Sequence, residues 1–244
     1  PVVAFGGSYG GMLASWFRLK YPDVVRGAIA GSAPIWAYEG EEPPVDPDYF
    51  AAIETFDASE AGGAHKDCAN NYRRSWEALF RLGDSAEGRA KISSALKLCA
   101  SSPLSSPQDV ANLANWAADG ISYLAMGSYP YPSSYMLNGD GVLPPYPLRV
   151  GCESLGPVPS DAKDEVLLEG FREAIGVWFN YTHSLPCFDW SAAPNNATQL
   201  DGDLWNVMAC TEEAMVMGTN GKEDMFWNAP WNAQAYVQGC LASY

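Results

Sequence analysis

The amino-acid sequence predicts an α/β protein, with a fragment of a parallel sheet at its N-terminus and a helical, disulfide-linked insertion after it. Three observations support this prediction. An apolar run, a glycine-rich turn and an amphipathic stretch follow one another within the first 22 residues. Helical periodicity then dominates from residue 68 to about 180, and six cysteines are scattered between positions 68 and 240.

The N-terminal residues predict a strand, a helix and a second strand. Residues 2–5 are apolar without polar alternation, which is typical of a strand buried on both faces of a parallel sheet. Apolar side chains at helical spacing follow from Met12 to Leu19, and Tyr21-Pro22 ends this helix. Residues 24–30 form a second apolar run, so the chain up to about residue 36 predicts a βαβ unit.

The turn between the first strand and the helix carries a catalytic motif. Residues 6–10 read Gly-Gly-Ser-Tyr-Gly, the Gly-x-Ser-x-Gly pattern of the nucleophile elbow in an α/β-hydrolase sheet. In such a sharp turn we expect side chains at the flanking glycine positions to collide with neighbouring backbone. The pattern predicts Ser8 as a nucleophile and the Tyr9 backbone N–H, at the N-terminus of the helix, as an oxyanion donor.

This turn has two other interpretations. The simpler one is an incidental serine in a glycine-rich turn between a strand and a helix. The other is a phosphate-binding loop, but neither Gly-x-x-x-x-Gly-Lys-Ser/Thr nor Gly-x-Gly-x-x-Gly follows the strand. The predicted strand and helix on either side favour the nucleophile elbow, and hence a partial α/β-hydrolase sheet.

The middle of the chain predicts helices, because apolar side chains recur there on one face. Ser106-Pro107 is a typical helix start, with proline at the first helical position. The acidic, proline-rich residues 39–50 predict an exposed connection, and residues 127–152 predict a loop rich in Pro, Tyr and Gly. The predicted helices cover residues 72–80, 92–99, 106–124 and 161–178.

The charge balance excludes two classes of partner. A formal net charge of −15, with 14 Lys and Arg, leaves no basic patch for nucleic acid or for an anionic membrane surface. No stretch approaches the ~20 apolar residues of a membrane span. Because the cysteines contain no Cys-x-x-Cys pair, we predict no zinc site, and we predict no other metal or cofactor.

The cysteines and two glycosylation motifs indicate the secretory pathway. An even number of cysteines predicts disulfides, and free structural cysteines in a cytosolic protein are the alternative. The triplets Asn180-Tyr181-Thr182 and Asn196-Ala197-Thr198 predict N-glycosylation at Asn180 and Asn196. The excess of carboxylates suits an acidic compartment such as a lysosome or vacuole, with secretion as the alternative.

A serine nucleophile requires a histidine base, and the sequence offers two histidines. His65 and His183 both lie in polar loops, and neither follows a late strand, as the base of this fold does. We therefore expect both to be solvated surface residues. The adjacent pair Glu212 and Glu213 also predicts no acid/base site, because neighbouring side chains on a helix diverge.

Three blocks of the sequence carry a family resemblance. They are residues 6–35, beginning GGSYGGMLASWFRLKYP, then MGSYPYPSSY at 126–135, and WNVMACTEEAMVMGTNGKEDMF at 205–226 leading to QGCLASY. In this order they resemble the serine exopeptidase family of lysosomal Pro-Xaa carboxypeptidase and dipeptidyl peptidase II over nearly the whole chain. The resemblance implies that residues 1–45 belong to an α/β-hydrolase domain. It implies that residues 46–244 form a mainly helical cap domain, which returns towards the hydrolase domain near the C-terminus.

The resemblance also implies a function. Enzymes of this family cleave peptides after proline at acidic pH, so proline-containing peptides are the implied partners, and a homodimer of the full-length protein stays open. By resemblance Ser8 is the nucleophile and the Tyr9 backbone N–H is part of the oxyanion hole. Met12 and Met215 fall where the family lines its proline pocket, with plain core packing as their alternative.

Further expectations come from the same resemblance. It implies the disulfides Cys68–Cys152, Cys99–Cys187 and Cys210–Cys240. It places the catalytic Asp and His beyond residue 244, so we expect the chain to be a piece of a larger protein and to be inactive alone. Gly218 stands where Pro-Xaa carboxypeptidases have a cysteine, which looks closer to dipeptidyl peptidase II.

Three functional hypotheses stay open. The first is a serine exopeptidase, and the sequence does not distinguish removal of a C-terminal residue from release of an N-terminal dipeptide. The second is an esterase or lipase on the same fold. The third is a non-catalytic secreted binding protein that retains the elbow as scaffold.

Overall fold

The computed structural model describes residues 1–191 and 196–243, with side chains for all of these except 196–203. The predicted glycosylation site at Asn196 therefore lies outside the described side chains.

The chain divides into two compact units. The sheet unit comprises Pro1–Asp46, Gly202–Val216 and Asn232–Tyr244, and the helical unit comprises Pro47–Asp201 and Met217–Trp231. The identification of these regions as hydrolase and cap domains divided at residue 45 stays a prediction.

The sheet unit begins with a strand, a helix and a parallel strand. Strand β1 (Val2–Gly7) pairs in parallel with β2 (Val25–Gly31), with Phe5 opposite Ile29. Helix α1 (Tyr9–Lys20) connects them and packs against both strands. Arg18 and Lys20 lie in the last turn of α1, where cations interact favourably with the helix dipole. The chain is thus a mixed α/β protein.

The expectation that these strands are buried on both faces is wrong for the structure as described. The side chain of Phe5 is 71% exposed and that of Ile29 is 58% exposed. Within the described residues this sheet has two strands, and a single helix covers one face of it. An apolar strand is buried on both faces only when layers pack on both sides.

The remainder of the sheet unit is held by a disulfide between two helices. Cys210, in α8 (Asn196–Thr211), is bonded to Cys240, in α9 (Ala233–Ser243). The Tyr236 hydroxyl of α9 donates to the Ala209 carbonyl of α8 at 3.0 Å. The two helices are therefore linked by one covalent bond and one hydrogen bond.

The helical unit contains the predicted helices and two that the sequence did not indicate. Ser106 caps α5 with a capping box in which it and Asp109 exchange side-chain and backbone hydrogen bonds. The second predicted helix, 92–99, lies earlier in the chain than expected: it begins at Ala86 and ends at Ala95, because Lys97 adopts a left-handed conformation with φ 50°. Helices α2 and α6 were missed because both lie beside proline-rich segments. The helices are α2 (Tyr49–Asp57), α3 (Cys68–Gly83), α4 (Ala86–Ala95), α5 (Pro107–Met126), α6 (Pro147–Leu155) and α7 (Asp164–Phe179), followed by a two-stranded ribbon of β3 (Thr219–Asn220) and β4 (Asn228–Ala229).

Trp76 of α3 is central to the core of the helical unit. It is 1% exposed, and its ring contacts Phe171 edge-on at a centroid distance of 4.9 Å. It also packs against Phe226 and Trp227, at 6.2 and 5.1 Å. Its indole Nε1–H donates to the Met225 carbonyl at 3.0 Å. One side chain thus joins two helices to the 217–231 segment.

Two disulfides cross-link the helical unit. Cys68 is bonded to Cys152, which joins the start of α3 to α6, and Cys99 is bonded to Cys187. With the Cys210–Cys240 bond, these are the three pairs that the family resemblance implies. The two bonds span 84 and 88 residues of sequence, and cross-links over long loops restrict the unfolded chain most strongly.

Residues 1–191 and 196–243, which the structure describes, contain neither a membrane-spanning helix nor a cluster of metal ligands. None of the helices there is both long and apolar enough to cross a membrane. No group of His, Cys, Asp or Glu side chains in that part of the chain is arranged to hold a metal ion.

We predict that Trp76→Ala destabilises the helical unit by about 3–5 kcal/mol, because it removes a fully buried aromatic ring and a buried hydrogen bond. Phe56→Ala is the matched control, since Phe56 belongs to the same unit but is 57% exposed, and it should change stability by less than about 0.5 kcal/mol. Urea denaturation followed by far-ultraviolet circular dichroism measures both. Equal effects of the two variants would contradict the assignment of Trp76 as the central core residue.

Candidate active site

Ser8 occupies a strained turn between β1 and α1. Its backbone has φ 53° and ψ −125°, a conformation that residues other than glycine rarely adopt. Its N–H donates to the Gly31 carbonyl of β2 at 2.9 Å, and its carbonyl accepts from Gly11 N at 2.9 Å. The residue is exposed. This is the backbone geometry that presents a serine hydroxyl at the edge of a sheet.

The glycines of this turn are not equivalent. A Cβ atom added to Gly6 would lie 1.9 Å from the Gly10 carbonyl oxygen, which leaves no room for a side chain. A Cβ atom added to Gly11 would also be tightly placed, 3.0 Å from the Gly31 carbonyl oxygen. A Cβ at Gly10 would meet nothing within 4 Å. The expected collision therefore occurs at Gly6 and not at Gly10, because the Gly10 carbonyl, and not its Cα, faces the strand.

The N-terminus of α1 lies directly after Ser8. Helix α1 begins at Tyr9, so the Tyr9 N–H belongs to the first-turn donors that have no acceptor within the helix. The first turn contains no acidic residue that would neutralise the positive end of the helix dipole. The Tyr9 ring contacts Trp205 of α8 edge-on, at a centroid distance of 5.7 Å. These features provide a place for a developing negative charge beside Ser8.

The two methionines meet at Tyr38. Met12 is 1% exposed, and its sulfur accepts a hydrogen bond from the Tyr38 hydroxyl at 3.2 Å. Met215 is half-buried and forms an antiparallel β-bridge with Tyr38. The pairing is completed by bonds from Glu39 N to the Ala214 carbonyl and from Val216 N to the Ala37 carbonyl. Segments 203 residues apart in sequence therefore meet at one tyrosine.

Glu213 belongs to the same cluster and is partly buried there. The Tyr38 hydroxyl lies 3.4 Å from its Oε2 atom. Partial burial raises the pKa of the Glu213 carboxyl, the hydrogen bond from Tyr38 lowers it, and the charge of Glu212 raises it. Sequence reasoning missed Tyr38 and Glu213, because Tyr38 lies in an irregular segment without periodicity and Glu213 is one of 29 acidic residues.

An apolar groove along α1 is a separate feature of the sheet unit. It has a volume of about 590 Å³ and is lined by Phe5, Leu13, Trp16 and Phe17, among others. Ser8 and the two methionines are not among its lining residues within the described chain. The groove is therefore not the predicted proline pocket.

Both histidines belong to the helical unit, not to the unit that contains Ser8. His65 is exposed, and its Nδ1 accepts a hydrogen bond from Asp67 N at 3.2 Å. His183 is also exposed, in a turn with φ 56° where its N–H donates to the Asn180 carbonyl. Each histidine thus has a local structural role in its own loop.

Comparison with known proteins gives a consistent result. A model of the family described as serine carboxypeptidase S28 matches residues 1–244. Lysosomal Pro-X carboxypeptidases of Pongo abelii and Homo sapiens are each 39% identical over 245 residues, covering 100% of this chain and 46% of the relative. Prolyl carboxy peptidase like protein 5 of Caenorhabditis elegans is 32% identical over 248 residues, with the same coverage. The chain spans about half the length of the curated relatives it matches.

Gly6 and Gly10 differ in the space available for a side chain, so alanine substitutions at these two positions form a matched pair of variants. We predict that Gly6→Ala destabilises the sheet unit by at least about 2 kcal/mol, because the new methyl group overlaps backbone atoms that cannot move away. Gly10→Ala should be neutral or stabilising by up to about 1 kcal/mol, since alanine favours a helix and the site is open. Denaturant midpoints measure both changes. A destabilisation by Gly10→Ala as large as that by Gly6→Ala would show that the turn geometry is wrong.

Proposed function

This chain belongs to the serine carboxypeptidase S28 family, and from this we propose that Ser8 is the nucleophile of a serine exopeptidase that cleaves proline-containing peptides after proline. Family membership makes the protein a serine-type hydrolase. The observation that carries the proposal is the conformation of Ser8, exposed and strained between β1 and the N-terminus of α1. A sharp turn of this kind is the structural context that the nucleophile-elbow motif requires.

In the proposed reaction, Ser8 Oγ attacks the carbonyl carbon of the proline residue. The oxyanion that forms accepts a hydrogen bond from the Tyr9 N–H at the positive end of α1. Collapse of the tetrahedral intermediate releases the amine product and leaves an acyl group on Ser8, which water then removes. The α/β-hydrolase fold proposed for the sheet unit is consistent with its parallel βαβ element.

Met12 and Met215 are the proposed walls of the pocket for proline. Thioether side chains suit this role because they are apolar and adaptable. Tyr38 supports the proposal, since it hydrogen-bonds the Met12 sulfur and pairs with Met215. Met12 is 1% exposed. In the proposed pocket, the proline ring therefore lies against the protein surface directly above the Met12 side chain.

The general base is proposed to lie outside residues 1–244. The family resemblance places the histidine base beyond residue 244, and His65 and His183 are both exposed loop residues. We propose on this ground that the carboxylate and histidine of the triad are supplied by other residues of the protein. Residues 1–244 alone are then inactive, because a serine hydroxyl without a base is a weak nucleophile.

The substrate end and the compartment are proposed from the relatives. The mammalian relatives are named lysosomal Pro-X carboxypeptidases, which favours removal of a C-terminal residue after proline and a lysosomal location. The three disulfides are consistent with maturation in the secretory pathway. Glycosylation at Asn180 is proposed as well. Its amide oxygen accepts the Leu185 N–H at 3.0 Å, and the amide nitrogen that carries a glycan is not used in this bond.

The central test is labelling with a fluorophosphonate, followed by peptide assays at about pH 5, on the protein as its gene encodes it. We predict that Ser8→Ala abolishes labelling and lowers kcat/KM by at least about 10³-fold. Ser15→Ala, on the same helix, is the control and should retain activity. Labelling of the Ser8→Ala variant at the wild-type rate would contradict the assignment of Ser8.

Two substrates then decide between the branches of the proposal. A peptide with proline before its C-terminal residue reports carboxypeptidase activity, and a free Xaa-Pro arylamide reports release of an N-terminal dipeptide. Hydrolysis of p-nitrophenyl esters without either peptide activity would favour an esterase. Absence of both labelling and hydrolysis would favour a binding protein that retains the fold.

A further inference from the structure

The helical unit contains a buried carboxyl group that the proposed mechanism does not use. Glu54, on α2, is 3% exposed. Its Oε1 atom has no hydrogen-bond partner among the residues that the structure describes. An ionised carboxylate without hydrogen bonds is very costly in a protein interior, whereas a neutral carboxyl group costs much less. The protonation state of Glu54 therefore matters for the stability of its surroundings.

Three groups from outside α2 interact with the Glu54 carboxyl. Ser122 and Asp119 come from α5, and Asp224 comes from the 217–231 segment. Ser122 hydrogen-bonds the Glu54 carboxyl. Asp224 is 1% exposed, while Asp119 reaches solvent. Both charged neighbours are acidic, so each disfavours a negative charge on Glu54.

Asp224 shows what a buried carboxylate requires. Its oxygens accept hydrogen bonds from Asn220 N at 2.6 Å, from Phe226 N at 2.9 Å and from Gly221 N at 3.3 Å. Arg73 of α3 donates to the backbone carbonyl of Asp224. Backbone donors thus surround Asp224, whereas Glu54 has the Ser122 hydroxyl.

The surroundings of Glu54 join α2 to the 217–231 segment. We call the region where α2, α5 and this segment meet the Glu54 junction. It contains both positions at which the chain enters the helical unit, next to Pro47 and Met217. The bonds across it run from Gly218 N to the Pro47 carbonyl at 2.7 Å, from Asn220 Nδ2 to Asp48 Oδ2 at 2.8 Å, and from Met225 N to Thr55 Oγ1 at 2.9 Å.

Burial raises the pKa of the Glu54 carboxyl to about 8. The hydrogen bond with Ser122 lowers this pKa, and the charges of Asp224 and Asp119 raise it further. In the closed junction Glu54 therefore keeps its proton at acidic and neutral pH. In an opened junction it is solvated and titrates near 4.5, the ordinary value for a glutamate.

We propose that Glu54 is a pH-sensitive latch of the helical unit: with its proton it holds α2 against α5 and the 217–231 segment, and loss of the proton opens this junction. The device favours the closed unit in an acidic compartment and loosens it near neutral pH. It depends on the contacts around Glu54 and not on the proposed peptidase activity.

The sign of the pH effect follows from proton binding. The closed form binds one more proton than the open form between the two pKa values, so the closed form loses stability as pH rises through this window. One proton changes the opening equilibrium by up to about tenfold per pH unit, or about 100-fold between pH 5 and pH 7. Below about pH 4.5 the stabilisation is fully present.

Hydrogen exchange of α2 amides, compared between variants at the same pH, tests the latch. We predict that Glu54→Gln, which is neutral at every pH, slows α2 exchange by up to about 300-fold relative to wild type at pH 7 and by only about fourfold at pH 5. Glu60→Gln is the matched control, because Glu60 is an exposed glutamate three residues after α2, and it should follow wild type at both pH values. Identical pH dependence in Glu54→Gln and wild type would overturn the proposal.

A titration of the wild-type protein tests the same point without a variant. With ¹³C-labelled glutamate, one carboxyl resonance should titrate near pH 8. If every glutamate resonance titrates below about pH 6, Glu54 is ionised in the closed junction and the latch is excluded. This measurement remains decisive even if the amide of Glu54→Gln prevents folding.

Discussion

The candidate site depends on the absence of a side chain at Gly6. The Gly10 carbonyl oxygen lies 1.9 Å from the position that a Cβ atom at Gly6 would take, so strand and helix approach to backbone contact. This approach lets α1 begin directly after Ser8 and keeps the backbone of Ser8 at a positive φ of 53°. The hydroxyl, the first N–H of the helix and the positive end of its dipole therefore share one place. Strain in one residue is the cost of this arrangement, and the hydrogen bond from Ser8 N to Gly31 helps to hold it.

The helical unit combines two kinds of interior contact. Trp76 joins helices to the 217–231 segment through ring contacts and one hydrogen bond to a carbonyl, none of which involves a titratable group. Glu54 lies at a junction of the same segment with α2, but its contribution changes with its proton. An apolar anchor stabilises a fold at any pH, whereas a buried carboxyl stabilises it in a limited range. Two disulfides add stability that is independent of pH in this range.

Tyr38 illustrates how a cluster of side chains is completed by a residue that carries no sequence signal of its own. The family resemblance identified both methionines, and the structure brings them together through the Tyr38 hydroxyl and its strand pairing. The same hydroxyl contacts Glu213, whose carboxyl is partly removed from water. A residue in an irregular connection acquires this role because the chain returns to it 175 residues later. Spacing along the sequence contains no information about such a return.

The sequence by itself determined the elements that depend on neighbours a few residues away. The apolar run and helical spacing at the N-terminus, the Ser106 capping box and the stripe around Trp76 follow from local hydrogen bonding and side-chain periodicity, and the structure contains them. The tertiary structure alone decided which faces of β1 meet water and that Glu54 is buried. It also decided that, after Gly6, the glycine of the turn with least room for a side chain is Gly11 and not Gly10. These properties depend on which distant segments approach each other, and burial, steric contact and pKa are all set by that approach.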